Sequence, residues 1–226
     1  MKLGFKALCF AIAMVAAPAT AEQQGAVAAY DLLFKNGTLD DIDRAKEIRY
    51  RREVTSLLKP DAAQRDTGQI AISFPADLDA MAQLEFRQND KFRSLGAFPA
   101  TVGNPMIMFF YESVVRDMAE SAGGSPFYIR NRVKDALVQP SVVETGSAVI
   151  DGKTVKTQTV KLYPFETDPN KSRMQGFGDL ELSVTMSEDV PGWYVSLIAD
   201  APGGQDGTSV YRSEFHYEGV DVSQSK

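Results

Sequence analysis

The sequence predicts an α+β fold in which a curved, half-barrel-like antiparallel sheet carries an N-terminal helix and an inserted helical hairpin that covers one face. Three observations predict it. Helical periodicity fills residues 104–138, the residues on both sides alternate between apolar and polar as strands do, and Asp151-Gly152 is the dipeptide typical of a tight hairpin turn. A large antiparallel sheet must bury one face, and the helical hairpin is the obvious cover.

Each end of the two helices in the hairpin is marked by a specific residue type. Asn104 can cap a first turn and Pro105 fits the first helical position. Gly123-Gly124 ends the first helix, and Ser125-Pro126 begins the second. The first helix places apolar residues three and four positions apart at Ile107, Phe110, Tyr111, Val114, Val115 and Met118, and the second does so at Ile129, Val133 and Leu137.

Charged residues occupy the other faces of these helices. Glu112, Arg116 and Glu120 have the i, i+4 spacing of an ion-pair ladder within one helix. The second helix shows three basic residues, Arg130, Arg132 and Lys134. A solvated helix face is the ordinary interpretation of the three, and contact with lipid head groups or a protein partner is the alternative.

The first 21 residues have the layout of a secretory signal peptide, with Lys2 and Lys6 before an apolar run and small residues at its end. We expect cleavage after Ala21, location in the periplasm, and one α+β domain over residues 22–226. The run is too short for the roughly 20 residues that span a bilayer, so no transmembrane segment is expected after cleavage. The only cysteine, Cys9, lies in this segment.

Strand patterns occupy most of the remaining sequence. A short helix is predicted over 26–35 and a strand over 47–57, in which Ile48, Tyr50, Arg52 and Val54 alternate with charged residues. Three further runs before the helical hairpin form a predicted antiparallel meander, centred on Ile70–Phe74, Leu84–Phe86 and Phe92–Phe98, with a turn at Asn89-Asp90.

A second meander is predicted after the helical hairpin. Residues 142–150 and 153–163 flank the Asp151-Gly152 turn. Leu182, Val184 and Met186 alternate with polar residues in the clearest strand pattern of the chain, and strands follow over 193–199 and around Tyr211, Phe215 and Tyr217.

Composition and motifs exclude several classes of function. Formal charge is −6, or −8 without the two lysines of the signal segment, which argues against nucleic-acid binding. His216, the only histidine, falls on the polar side of its strand and has no serine or aspartate partner in the sequence pattern. With one histidine and no cysteine in the mature chain, no metal site is expected. The glycines at 203, 204 and 207 are not followed by the lysine and the helix of a phosphate-binding loop, so no cofactor is expected.

Carboxylate chemistry is the one enzymatic alternative that remains open. Glu85, Asp90, Glu112 and Asp117 are the candidates. Glu112 would have a raised pKa on an apolar face, whereas exposure beside Arg116 is the ordinary alternative.

In its order of elements, the chain resembles the half-barrel periplasmic lipoprotein-localisation carriers, and the segment from Asn104 to Leu137 is similar to a group of exported bacterial proteins. The resemblance covers most of the mature chain and implies an apolar cavity between sheet and helices that holds acyl chains. It assigns no individual ligand residue, because it rests on no short motif.

The residues themselves indicate where such a ligand would bind. Six consecutive apolar or aromatic residues from 106 to 111 exceed what one helix face accommodates. The predicted lining consists of Met106, Met108, Phe109, Phe110 and Tyr111. The alternative is that this helix is enclosed on all sides. The preferred function is therefore a non-enzymatic carrier or chaperone-like binder of an apolar ligand. The second is an envelope scaffold with a filled core that binds another envelope protein. The third is a carboxylate enzyme.

Overall fold

A computed structural model describes residues 29–78, 80–204 and 207–223, and the predicted signal peptide at 1–21 lies outside them. The described residues form one nine-stranded sheet in the order β4-β3-β2-β1-β9-β8-β7-β6-β5, with every neighbouring pair antiparallel. The strands are β1 (Lys46–Ser56), β2 (Gly68–Ser73), β3 (Met81–Gln88), β4 (Lys91–Pro99), β5 (Val143–Ile150), β6 (Lys153–Leu162), β7 (Glu181–Met186), β8 (Tyr194–Pro202) and β9 (Ser209–Val222).

The sheet consists of the two predicted meanders, β1–β4 and β5–β9, joined by pairing of β1 with β9. This pairing is the longest in the sheet and includes a register shift after Arg49. It leaves β4 and β5 as the two edges of an open sheet. The predicted fold class is confirmed.

Within the described residues, four helices accompany the sheet. Helix α1 covers residues 29–33, within the helix predicted over 26–35, and residues 26–28 of that prediction lie outside the described residues. The other three are α2 (Pro60–Asp66), α3 (Met106–Ala122) and α4 (Pro126–Leu137), and short 3₁₀ turns occur at Ala100–Val102, Lys171–Arg173 and Phe177–Asp179. Helix α2 was not predicted, because its seven residues are too few to show a helical period, although Pro60 at its first turn fits a helix start.

The start of α3 is fixed by Asn104, as predicted. The Asn104 side-chain oxygen accepts a hydrogen bond from the Met106 amide at 2.9 Å, and Pro105 follows in helical conformation. The Asn104 amide group donates to the Tyr50 hydroxyl at 3.0 Å and to the Gly192 carbonyl at 2.7 Å. Asn104 is buried, so one side chain joins the start of α3 to β1 and to the turn before β8.

Helix α3 packs on one face of the sheet and α4 packs against α3. Phe110 of α3 meets Phe215 of β9 edge-to-face, with ring centroids 5.7 Å apart. In α4 the three predicted apolar residues are buried, at Ile129, Val133 and Leu137. The hairpin therefore covers one sheet face, as predicted.

The predicted turns and strand faces are also confirmed. Asn89 and Asp90 have φ of 50° and 60°, and Asp151 and Gly152 have 49° and 75°, the left-handed pair that a type I′ turn requires. On β7 the predicted inward residues are fully buried, at Leu182, Val184 and Met186. The strand predicted over 193–199 is displaced toward its C-terminal end, since β8 covers Tyr194–Pro202.

Replacing Asn104 by alanine should lower the free energy of unfolding by about 3 kcal/mol. The change removes a helix cap, worth about 1 kcal/mol, and leaves a buried carbonyl and hydroxyl without their donor at about 1–3 kcal/mol each. Urea unfolding of Asn104→Ala measures the loss. Asn131→Ala, at an exposed position of α4, is the control and should change stability by less than about 0.5 kcal/mol. Equal effects of the two changes would show that Asn104 has no special role.

Candidate functional site

The five predicted ligand-lining residues occupy different environments. Met106 and Phe110 are fully buried and Tyr111 is nearly so. Phe109 is half-buried and meets Phe215 edge-to-face at 5.9 Å, whereas Met108 is about half exposed, at 49%. Most of this segment therefore contacts the protein core, and Met108 is the member that reaches solvent.

Met108 lines a groove of about 420 Å³ at the N-terminal end of α3. One wall comes from α1, a second from the end of β4 and the 3₁₀ turn after it, and the third from the first turn of α3. The main apolar side chains of the groove are Tyr30, Phe34, Phe98, Val102, Ile107 and Met108. Val102 is 63% exposed and Tyr30 43%, so apolar surface on all three elements faces the open groove.

Backbone constraints hold the groove walls in place. Gly103 has φ of 117°, and a Cβ atom there would lie 2.5 Å from the Lys35 carbonyl oxygen. Only glycine therefore lets the turn after β4 approach the end of α1 so closely. The next residue, Asn104, donates its amide hydrogen to the Thr38 hydroxyl at 2.8 Å. The turn at Gly103 and Asn104, which forms part of the groove wall, is therefore held in place by contacts with Lys35 and Thr38.

Sequence reasoning found only part of this groove. Tyr30 was assigned to the apolar face of the N-terminal helix and Phe98 to a strand, whereas no role was assigned to Val102. Tyr30 and Val102 are 72 positions apart in the sequence, and only the fold brings them together. A local signal did exist at Gly103-Asn104-Pro105, which marks a constrained turn before a helix.

The basic residues of α4 are largely paired within the protein. Arg130 donates two hydrogen bonds of 2.7 Å to the Glu112 carboxylate, and Arg132 lies 2.9 Å from the Asp135 carboxylate. Arg132 also lines an open groove of about 630 Å³, which contains Lys161 and Glu166 as well. Side chains of both charges line this groove, so it favours no ligand of one charge.

The ion-pair ladder predicted within α3 is wrong. Glu112 pairs with Arg130 of α4, Arg116 with Asp66 of α2 and with Asp117, and Glu120 with Arg65 of α2. The hydrogen bond from Arg130 lowers the pKa of Glu112 against the opposing effect of burial. Glu112 and Glu120 therefore pair with arginines of neighbouring helices, α4 and α2, rather than with Arg116 of their own helix.

A buried ion pair lies beneath α3. Arg52 of β1 is fully buried and donates through Nη2 to the Asp117 carboxylate at 2.7 Å. The same carboxylate oxygen accepts a hydrogen bond of 2.8 Å from the Tyr211 hydroxyl. Burial raises the pKa of Tyr211 well above its ordinary value, which keeps it a neutral donor.

The rest of the Arg52 guanidinium faces aromatic rings. Its Nε and Nη1 atoms have no hydrogen-bond partner within the described residues. Its central carbon lies 5.1 Å from the centroid of the Phe215 ring and 5.9 Å from that of Phe109. Cation–π attraction therefore replaces hydrogen bonding on that side of the guanidinium.

Further ion pairs extend from Arg52 and Asp117 toward the protein surface. Asp66 of α2 accepts hydrogen bonds from Arg65 and Arg116. Burial alone would raise the pKa of Asp66, but the hydrogen bond from Arg65 and the nearby charges of Arg116 and Arg52 outweigh it, so the pKa lies below its ordinary value. The network ties α2 and α3 to the sheet.

The structure gives little support to catalysis by the predicted carboxylates. The cavity beside Asp117 measures about 10 Å³, room for at most one water molecule. Glu85 accepts a hydrogen bond from Arg87 within β3, and Glu112 pairs with Arg130, so these two and Asp117 each have a different arginine partner. His216 has a half-exposed side chain on the polar sheet face, as predicted, with Nε2 3.9 Å from the Glu214 carboxylate.

Within residues 29–78, 80–204 and 207–223, no three histidine, cysteine, aspartate or glutamate side chains are grouped as metal ligands. No helix in the same ranges combines the length and the hydropathy needed to cross a lipid bilayer.

Comparison with known proteins finds likeness in structure alone. No protein-family model and no curated sequence matches the chain. The chain is similar to the crystal structure of the lipoprotein LppX from Mycobacterium tuberculosis, with a TM-score of 0.31, 13% identity, and 92% of this chain and 100% of that chain covered. A DUF1329 family protein from Desulfovibrio piger gives a TM-score of 0.23 and 12% identity over 89% of this chain and 95% of that one. These TM-scores are too low to support an argument about function.

The lowered pKa of Asp66 predicts a specific pH dependence of stability. A carboxyl whose pKa is lower in the folded state stabilises the protein above its unfolded pKa, near 4, and that contribution is lost as pH falls through the folded pKa. Above pH 4, wild type should therefore exceed Asp66→Asn in unfolding free energy by about 1–3 kcal/mol. Below pH 4 the difference should shrink.

Urea unfolding of both proteins, measured at intervals of about one pH unit between roughly pH 2 and pH 7, tests this pH dependence. Asp77→Asn, at an exposed loop position, is the control and should follow wild type throughout. A difference between wild type and Asp66→Asn that stays constant with pH would contradict the assignment of the ion pair.

Proposed function

We propose that this protein is an extracytoplasmic, non-enzymatic binder of an apolar ligand of the acyl-chain class, held in the groove between α1, the end of β4 and the start of α3. The observation that supports the proposal is the open apolar surface on all three walls, with Val102, Met108 and Tyr30 exposed around a volume of about 420 Å³. Small-molecule sites fall in the range of about 300–1,000 Å³. The extracytoplasmic location follows from the predicted signal peptide.

The chemistry of the groove favours an apolar ligand over a charged one. Aromatic rings and a methionine thioether are adaptable apolar contacts, suited to a flexible chain. Lys35 at the rim is already engaged, since its amine lies 2.7 Å from the Glu188 carboxylate and 4.1 Å from the centroid of the Trp193 ring. An anionic head group would have to displace that pair, so binding energy comes from the apolar part of the ligand.

A second function class is supported by a different observation. Met106 and Phe110, at the start of α3, are fully buried against the sheet, as in a scaffold with a filled core. In that case the exposed apolar groove is a contact surface for another envelope protein. The two functions differ in whether a small apolar molecule binds the purified protein by itself.

Binding of a fluorescent fatty acid, cis-parinaric acid, to the delipidated protein tests the proposal. We expect saturable binding with one site, and Val102→Asp and Met108→Asp should each weaken it by about tenfold or more, because a carboxylate in the groove must be desolvated when the chain binds. Phe127→Asp is the matched control, since Phe127 lies in the first turn of α4 and is 76% exposed. It should bind as wild type does.

Circular dichroism should show that all three variants fold, because about half or more of each replaced side chain is exposed to solvent. Absence of saturable binding to wild type would overturn the proposal and leave the scaffold function. Binding that is equally weakened by Phe127→Asp would place the ligand elsewhere.

A further inference from the structure

The two edges of the sheet differ sharply in how they are protected against pairing with another strand. An exposed edge presents unpaired backbone donors and acceptors, and proteins block such edges with lysine, proline, bulges or short strands. Edge strand β4 carries Lys91, Arg93 and Pro99, and its register with β3 shifts between Leu84 and Glu85. That edge is therefore protected in several ways.

Edge strand β5 has none of these features. It pairs with β6 over eight consecutive residue pairs without a register shift, and it contains no lysine, arginine or proline. Its single charge, Glu144, lies 3.3 Å from Lys161 of β6. Val149 of β5 is 70% exposed, and Val142, the residue just before the strand, is 78% exposed. A long, regular and nearly uncharged edge is suited to accept another strand.

We propose that β5 is the dimer interface of this protein, pairing antiparallel with β5 of a second copy. The pattern of β5 is self-complementary about Gly146. With Gly146 opposite Gly146 of the second copy, Val143 faces Val149 and Thr145 faces Ser147, each twice because of the two-fold axis. Aliphatic pairs and hydroxyl pairs are favourable cross-strand neighbours.

Charge also fits this register. Glu144 faces Ala148 of the second copy, so no like charges lie opposite each other. A charged strand of another protein would find little complementary charge on β5, whereas a second copy places aliphatic residues opposite aliphatic residues and hydroxyls opposite hydroxyls. The axis runs perpendicular to the sheet, so the helical hairpins of both copies lie on the same face of a continuous eighteen-stranded sheet.

The assembly closes at two copies. An isologous pair uses the same edge of both subunits, and only the two β4 edges remain outside. Because β4 is protected by charge, proline and a register shift, growth into a fibre is blocked. The interface is a single strand pair, below the roughly 1,200–2,000 Å² of a standard interface, so a dimer that dissociates on dilution is expected.

Analytical ultracentrifugation from micromolar to near-millimolar protein tests the proposal. Wild type should show a monomer–dimer equilibrium, and Val149→Lys should weaken it by about tenfold or more, because the two-fold axis places the new charge at two apolar pairs. Val222→Lys is the matched control, since Val222 is 69% exposed near the end of β9. It should dimerise as wild type does, and both variants should retain the circular dichroism of wild type.

Disulfide trapping tests the register. In a Cys9→Ser background, Gly146→Cys should form a disulfide-linked dimer, because Cα atoms of opposed antiparallel residues lie about 4.5–5.5 Å apart, within disulfide range. A Cβ at Gly146 would lie 3.2 Å from the Thr157 hydroxyl, a contact that the threonine can relieve. Ser147→Cys is the control, since its two copies would be about 8 Å apart, too far to link.

Linking at position 146 but not at 147, together with loss of dimer in Val149→Lys, supports the proposal. A protein that stays monomeric at near-millimolar concentration overturns it, as does a dimer that Val149→Lys leaves unchanged. A monomer that instead binds an extended peptide at β5 also overturns it and assigns the edge to a different partner.

Discussion

Pairing of the first strand with the last is the constraint on which the other features depend. Because β1 and β9 are neighbours at the centre of the sheet, the strands that flank the helical hairpin, β4 and β5, lie at opposite edges. Eight strand spacings of about 4.8 Å separate those edges. The hairpin therefore covers the sheet because its two ends must reach both edges.

This crossing explains the buried charges. Helix α3 lies over β1 and β9, and Arg52 at the centre of β1 faces it without access to water. A buried guanidinium is tolerated only where a carboxylate and further contacts compensate its desolvation. Asp117, Tyr211 and the ring of Phe215 supply them. An ion pair beneath α3 restricts how the helix can lie on the sheet, because a shifted helix would leave one charge unpaired.

Features set by a few neighbouring residues were predicted from the sequence, and features set by packing were not. Asn104 and the Asp151-Gly152 turn were found because cap and turn chemistry is local, and the alternation in β1 placed Arg52 on the apolar side correctly. Glu112 was assigned the wrong partner because spacing along one helix ignores the arginine that α4 brings closer. The β1–β9 pairing and the groove join residues distant in sequence, and no local pattern encodes either.

The groove and the free edge use different elements. The residues that line the groove belong to α1, the end of β4, the turn after it, the start of α3 and, at Tyr194, β8, and none of them lies in β5. The hairpin begins beside β4, where α3 starts and the groove opens, and ends before β5. A dimer through β5 would therefore use none of the residues that line the groove. Neither groove would be covered by the second copy, so ligand binding and dimerisation would not compete for surface.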